Sequence, residues 1–129
     1  MTEYLDREDV LYAGSAAVGH ILDVADHGLI DAAVARPRAT VFGVDAYPDD
    51  WRKAAALLQS LVRNHALIDG NKRTSWAAAW TFLHINDHPL DPGFDVDAAE
   101  VFMNAAATDG GLTVDELAAR LESFAASEQ

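Results

Sequence analysis

The side chains best suited to catalysis lie in one stretch, residues 65–74, which reads HALIDGNKRT. If a helix begins at Asn71, its first backbone N–H groups point at an anion, and the helix dipole attracts negative charge there. Gly70 allows a phosphate to approach the backbone because it has no side chain. Lys72 and Arg73 supply two cations that neutralise a polyphosphate, Lys as a point charge and Arg as a planar fork. The stretch therefore predicts a phosphate-binding site.

His65 and Asp69 add a base and a metal ligand to the same stretch. A His imidazole at this position can act as general base toward an incoming hydroxyl. A single carboxylate can hold Mg²⁺, which typically uses one or two carboxylates together with substrate phosphates. The alternative is a solvated, charged loop that only connects two helices. Two adjacent cations in a chain of net charge −12 favour the anion site.

The composition of the 129-residue chain excludes several classes of protein. Nine Lys and Arg against 21 Asp and Glu disfavour nonspecific binding to nucleic acid and docking on an anionic membrane. The absence of cysteine excludes disulfides, a thiol nucleophile and Cys-ligated zinc. The N-terminus is acidic and does not resemble a signal peptide, and the most apolar stretch, 76–85, is too short to span a bilayer. We expect one domain over residues 1–129 and a soluble, cytoplasmic protein.

Apolar spacing predicts two helices and an extended segment in the first part of the chain. The first helix begins near Asp6 as N-cap and keeps its apolar spacing as far as Ala25, with Gly28 as its stop. A short helix follows over Leu29–Ala35. Residues 39–48 (ATVFGVDAYP) break the helical pattern and predict an extended loop or a small hairpin.

The two helices that flank the chemical stretch have the strongest pattern. One is predicted over residues 51–64 behind an Asp cap, and the other over residues 71–86. The second is apolar on every side, which is typical of a buried central helix.

Capping-box spacing predicts the remaining helices. Asp97 with Glu100 opens one, and Thr113 with Glu116 opens the other. The tail, 127–129, is predicted to fray. The predicted fold class is all-α, a compact bundle of about five or six helices with one short extended segment.

At residues 65–73 the chain resembles the Fic/Doc superfamily, and specifically the Doc (death-on-curing) branch of toxin–antitoxin toxins. The superfamily motif is His-x-Phe-x-(Asp/Glu)-(Gly/Ala)-Asn-(Gly/Lys)-Arg, and this chain has HALIDGNKR, which matches at six of the nine positions. The resemblance also extends upstream and covers roughly residues 5–90. Two positions depart from the common pattern, with Ala66 in place of Pro and Leu67 in place of Phe. We expect Leu67 to anchor the loop in the core with less area than Phe.

The resemblance implies an enzyme that uses ATP and Mg²⁺. By motif position, His65 is the base and Asp69 is the Mg²⁺ ligand. The implied phosphate contacts are Gly70, Asn71, Lys72 and Arg73. An extended flap that aligns the target by strand addition is implied at Thr40, Val41, Phe42 and Gly43.

Lys72 decides which reaction the resemblance implies. Relatives with Gly at this position mostly transfer AMP, whereas Doc proteins carry Lys, bind the nucleotide inverted and transfer the γ-phosphate. The implied function is a kinase that modifies a Thr of elongation factor Tu and inhibits translation. The implied partner is a Phd-like antitoxin whose C-terminal segment folds on binding. AMP transfer and a catalytically silent binding module remain as alternatives.

Two other residue pairs have a spacing of four. His84 and His88 could bind a metal if both lay on one helix, but the Asn and Asp between them favour a helix end and an exposed or capping role. Trp76 and Trp80 are predicted to be core anchors beneath the motif.

Overall fold

The computed structural model describes residues 1–108 and 110–127 of the chain. The described residues form six α-helices: α1 (Arg7–Val18), α2 (His27–Ala35), α3 (Asp50–Arg63), α4 (Asn71–Ile85), α5 (Val96–Ala106) and α6 (Val114–Glu122). A 3-10 turn spans Arg36–Arg38, and a hairpin consists of β1 (Thr40–Val41) and β2 (Val44–Asp45). The prediction of an all-α bundle with one short extended segment is confirmed. Of the tail predicted to fray, Glu128 and Gln129 lie outside the described residues.

The central helix is α4, as its apolar pattern predicted, and it packs against both α1 and α3. The second of these, α3, also packs against α6 and buries three consecutive small residues, Ala54–Ala56. The two helices α1 and α4 are close at Gly14, where an added Cβ would lie 2.5 Å from the Thr74 hydroxyl oxygen. A larger residue at Gly14 would force the two helices apart. Among the described residues, no helix is long and apolar enough to cross a membrane.

The first helix is shorter than predicted. It ends at Val18, because Gly19 adopts a left-handed φ of +86° and turns the chain out of the helix. Asp26 then caps α2, so Gly28, predicted as a stop, lies in the first turn of the next helix. The apolar residues of the intervening segment, 20–25, have helical spacing, but the segment is not helical. It pairs instead with residues 66–68.

Capping side chains begin the last two helices. Thr113 and Glu116 form the predicted capping box of α6. The cap of α5 is Asp95 and not the predicted Asp97, since the Asp95 carboxylate accepts from the Ala98 N–H at 3.1 Å. Asp97 lies in the first turn, where a negative charge also suits the helix dipole.

Trp76 and Trp80 are core anchors, but not beneath the motif. Their rings lie 5.9 Å apart, and Trp76 also lies 5.5 Å from Phe94 and 5.3 Å from Phe124. Trp76 therefore packs α4 against α5 and the C-terminal part of the chain, whereas Trp80 packs it against Trp51 of α3. The apolar side chains beneath the motif are Val10, Ile30, Leu61 and Leu67.

His84 and His88 do not form a pair. His84 is exposed near the end of α4, whereas His88 lies beyond it with its Nε2 3.0 Å from Asp50 Oδ2. No group of three or more potential metal ligands comes together in the described part of the chain. His88 is thus engaged with the Asp50 carboxylate and does not cap a helix, since Asp49 is the cap of α3.

Candidate active site

The predicted catalytic residues begin in a loop between α3 and α4, and we call residues 65–70 the motif loop. His65 starts this loop two residues beyond the end of α3 and adopts a left-handed φ of +53°. His tolerates this conformation better than most side chains. The turn ends α3 and leaves the His65 side chain exposed.

Backbone hydrogen bonds hold the motif loop against the segment before α2. The Ala66 carbonyl accepts from the Ala25 N–H at 2.8 Å, and the Ile68 N–H donates to the Asp23 carbonyl at 3.0 Å. Leu67 is only 6% exposed and lies in the hydrophobic core, which confirms its predicted anchoring role. The loop is thus fixed on both its backbone and its apolar side.

Asn71 clamps the motif loop from the first residue of α4. Its Oδ1 accepts from the Leu67 N–H at 3.2 Å, and its Nδ2 donates to the Leu67 carbonyl at 3.0 Å. Both polar ends of the side chain are therefore engaged with one residue. Asn71 contributes its backbone N–H, and not its side chain, to the predicted phosphate site.

Gly70 shapes the N-terminus of α4. It has a φ of +82°, and an added Cβ would lie 2.9 Å from Val18 Cγ1. The Thr74 N–H donates to the Gly70 carbonyl at 2.9 Å, which begins the helical ladder. Among the described residues, nothing accepts from the N–H groups of residues 71–73. Three amides with the positive end of the helix dipole behind them are available to an anion.

A cleft of about 540 Å³ opens at this end of α4. All six residues predicted from the motif line it: His65, Asp69, Gly70, Asn71, Lys72 and Arg73. The sequence did not indicate His20 and Ala107, which also line the cleft. His20 lies two residues beyond the end of α1, at a break that the sequence pattern concealed.

The two predicted phosphate-binding cations are both exposed. Lys72 donates from Nζ to Asn104 Oδ1 on α5 at 2.7 Å. Among the described residues, no carboxylate lies within ion-pair distance of Lys72 or Arg73. Their charges are therefore available to a bound anion.

Asp69 offers one exposed carboxylate at the edge of the cleft. One of its oxygens accepts from the Gly70 N–H at 2.8 Å, which orients the group. A single carboxylate fits a Mg²⁺ ion that takes its other ligands from nucleotide phosphates and water.

The predicted flap is a hairpin, but its residues do not line the cleft. Thr40 pairs with Asp45 and Val41 with Val44, in antiparallel register. The turn between them consists of two residues with positive φ, Phe42 at +52° and Gly43 at +79°. This is the geometry of a tight two-residue hairpin turn. Both strands are short, exposed and open at their outer edges.

Comparisons with known proteins cover the site and the whole chain. The model of the Fic/DOC family matches residues 4–83, which contain the hairpin, the motif loop and most of α4. Toxin Doc of Mycolicibacterium smegmatis is 68% identical over 129 residues, which are all of this chain and 98% of that protein.

Proposed function

Because the chain belongs to the Fic/DOC family, we propose that it is a Doc-type toxin that transfers the γ-phosphate of ATP to a protein hydroxyl. The full-length similarity to Toxin Doc supports the toxin part of the proposal. The motif residues support the transferase part, since each occupies a position from which it can take its family role.

The main support for the proposal is that one cleft brings together three kinds of chemical group. These are the free amides at the start of α4, the unpaired cations Lys72 and Arg73 in the described part of the chain, and the exposed side chains of His65 and Asp69. Amides and cations bind the phosphates, the imidazole accepts a proton, and the carboxylate would hold Mg²⁺, which would neutralise charge on the phosphates.

The proposed reaction is an in-line displacement at phosphorus. The oxygen of the substrate hydroxyl attacks the γ-phosphorus, while its proton passes to the neutral imidazole of His65. The bond between phosphorus and the bridging oxygen breaks, and ADP leaves. The amides of residues 71–73 and the guanidinium of Arg73 would stabilise the charge on the transferring group.

The substrate is proposed to be a Thr of elongation factor Tu, on family grounds. The hairpin supports the use of an extended protein segment, since its outer edges are free to add a strand. Modification of this factor would inhibit translation.

The reaction class is tested with ATP labelled separately at the α and γ positions, in a bacterial lysate. The wild type is expected to transfer γ-label and not α-label to protein. Transfer of α-label would instead support the AMP-transfer alternative, and transfer of neither would leave the silent binding module.

The proposed partner is a Phd-like antitoxin whose C-terminal segment folds on binding. A groove of about 560 Å³ between α4 and α5 supports it, because Trp76, Phe94 and Met103 give the groove an apolar wall beside Lys72 and Arg73. A partner in this groove would block the phosphate site. Co-expression of the small protein encoded next to the toxin should restore growth and yield a complex; failure of both would contradict the proposal.

A further inference from the structure

Lys53 is the one fully buried charged side chain among the described residues. It lies on α3, and its side chain is only 3% exposed. Removing an ammonium group from water is costly unless a partner compensates it. The partner of Lys53 therefore identifies the segment that the buried charge keeps in place.

The partner of Lys53 belongs to the hairpin. The Lys53 Nζ lies 3.2 Å from Asp45 Oδ2 on β2 and 3.3 Å from the Pro37 carbonyl in the 3-10 turn. Its ammonium also lies 5.8 Å from the centre of the Tyr4 ring. The ion pair thus ties the hairpin to α3, the helix whose C-terminal end leads directly to His65.

A second contact fixes the same base of the hairpin to α3, two residues beyond Asp45. Arg36 donates to the Tyr47 hydroxyl at 2.8 Å and to Gln59 Oε1 on α3 at 2.8 Å. At the opposite end from these contacts, the turn residues Phe42 and Gly43 are exposed. The base of the hairpin is therefore fixed to α3, whereas its turn is exposed to solvent.

We propose that Lys53, acting through Asp45, is a positioning residue that sets where the hairpin lies relative to His65. This inference rests on the proposed function, in which the hairpin aligns the protein substrate. A shifted hairpin would present the substrate hydroxyl away from the imidazole, and small misplacements of reacting groups are known to reduce rates strongly. The hairpin does not line the cleft proposed to hold ATP, so the nucleotide step is expected to be unaffected.

The test compares Asp45→Asn with Asp115→Asn as a matched control. Asp115 pairs with Arg52, the residue next to Lys53, but that pair is exposed to solvent. Asp45→Asn should raise amide exchange in residues 40–45 and KM for purified elongation factor Tu by about tenfold each. Turnover of ATP alone should stay unchanged. Asp115→Asn should change none of these, and Asp45→Glu should recover most of the wild-type KM.

A double variant separates positioning from stability. Lys53→Met combined with Asp45→Asn removes the uncompensated buried charge, so its thermal midpoint should recover relative to Asp45→Asn. Its hairpin exchange and KM should stay high, because the tie to α3 is still missing. Recovery of KM together with the midpoint would overturn the inference, and so would equal behaviour of Asp45→Asn and Asp115→Asn.

The outcomes also separate this inference from the proposed function. If the wild type transfers no phosphate to elongation factor Tu, the proposed substrate is wrong. The exchange contrast between Asp45→Asn and Asp115→Asn then decides alone whether Lys53 positions the hairpin.

Discussion

His65 has a left-handed backbone conformation, which is energetically unfavourable for a residue that carries a side chain. Its φ of +53° lies at a position after a helix where Gly is usual, and the left-handed conformation costs a non-Gly residue about 1–2 kcal/mol. Strained residues of this kind are concentrated at functional sites. The conformation is consistent with an imidazole that is needed in the cleft, and it determines which substitutions are informative.

Replacing His65 by Asn should separate catalysis from stability. Asn tolerates positive φ, so the free energy of unfolding should stay close to that of the wild type. The rate of phosphate transfer should fall by about 10²–10⁴, the contribution of a positioned base. Steady-state kinetics and chemical denaturation measure the two quantities, and transfer at nearly the wild-type rate would remove His65 from the mechanism.

Asp69→Asn should weaken the binding of the Mg²⁺ that transfer needs. The substitution keeps the size of the side chain and its hydrogen bond from the Gly70 N–H but removes the negative charge. Transfer should then need more Mg²⁺ to reach a given rate. A titration with Mg²⁺ measures the shift. Wild-type transfer that persists in excess EDTA would show that no metal is used.

At the scale of elements, one buried hydroxyl on α4 is left without a partner. Thr74 is 1% exposed, and no described residue forms a hydrogen bond with its hydroxyl. The space around it is too small for a water molecule. The hydroxyl faces Gly14 of α1, where an added Cβ would lie 2.5 Å from it.

Thr74→Val should therefore stabilise the protein. The change replaces a hydroxyl by a methyl of similar shape and should raise the free energy of unfolding by about 1 kcal/mol. Ser75→Ala is the control, because the Ser75 hydroxyl donates to the Asn71 carbonyl at 2.6 Å and its loss brings no such gain. Urea denaturation of both variants is the measurement, and destabilisation by Thr74→Val would show that the hydroxyl is satisfied.

The capping box of α6 should make stability depend on pH. The N–H and hydroxyl of Thr113 donate to Glu116 and lower the pKa of its carboxyl group. The stabilisation is therefore complete above the pKa of the unfolded chain and is lost as the pH falls through the lowered folded pKa. Glu116→Gln should destabilise near neutral pH, and its difference from the wild type should vanish in acid. Glu122→Gln on the same helix is the control, and an equal pH dependence in both variants would contradict the assignment.

The sequence predicted the elements where local signals and packing agree. The caps and apolar pattern of α3 and α4 placed the motif loop to within a residue or two. The break between α1 and α2 was missed because Leu22 and Ala25 continue a helical repeat. Ala25 instead donates its N–H to the Ala66 carbonyl of the motif loop. A contact between segments about forty residues apart leaves no local signal in the sequence. The same reason explains why neither His20 at the cleft nor Asn104 beside Lys72 could be predicted.

At the scale of the whole molecule, two concave surfaces share the same two cations. The motif cleft and the groove between α4 and α5 both include Lys72 and Arg73. In a chain of net charge −12, these two residues are where an anion and an acidic group of a partner would compete. The substrate phosphates and an antitoxin would therefore both bind at the N-terminus of α4.

The central claim is that Lys72 directs the γ-phosphate, and not AMP, to the substrate. Bulk at this position should block the close approach of phosphate and backbone that AMP transfer needs, while the ammonium group holds the polyphosphate. The most direct test is the mass of purified elongation factor Tu after incubation with the wild type and ATP, compared with Lys72→Gly. The wild type is expected to add one phosphate, and Lys72→Gly is expected to lose most of this activity. A wild-type product that carries AMP would show that Lys72 does not direct the γ-phosphate to the substrate.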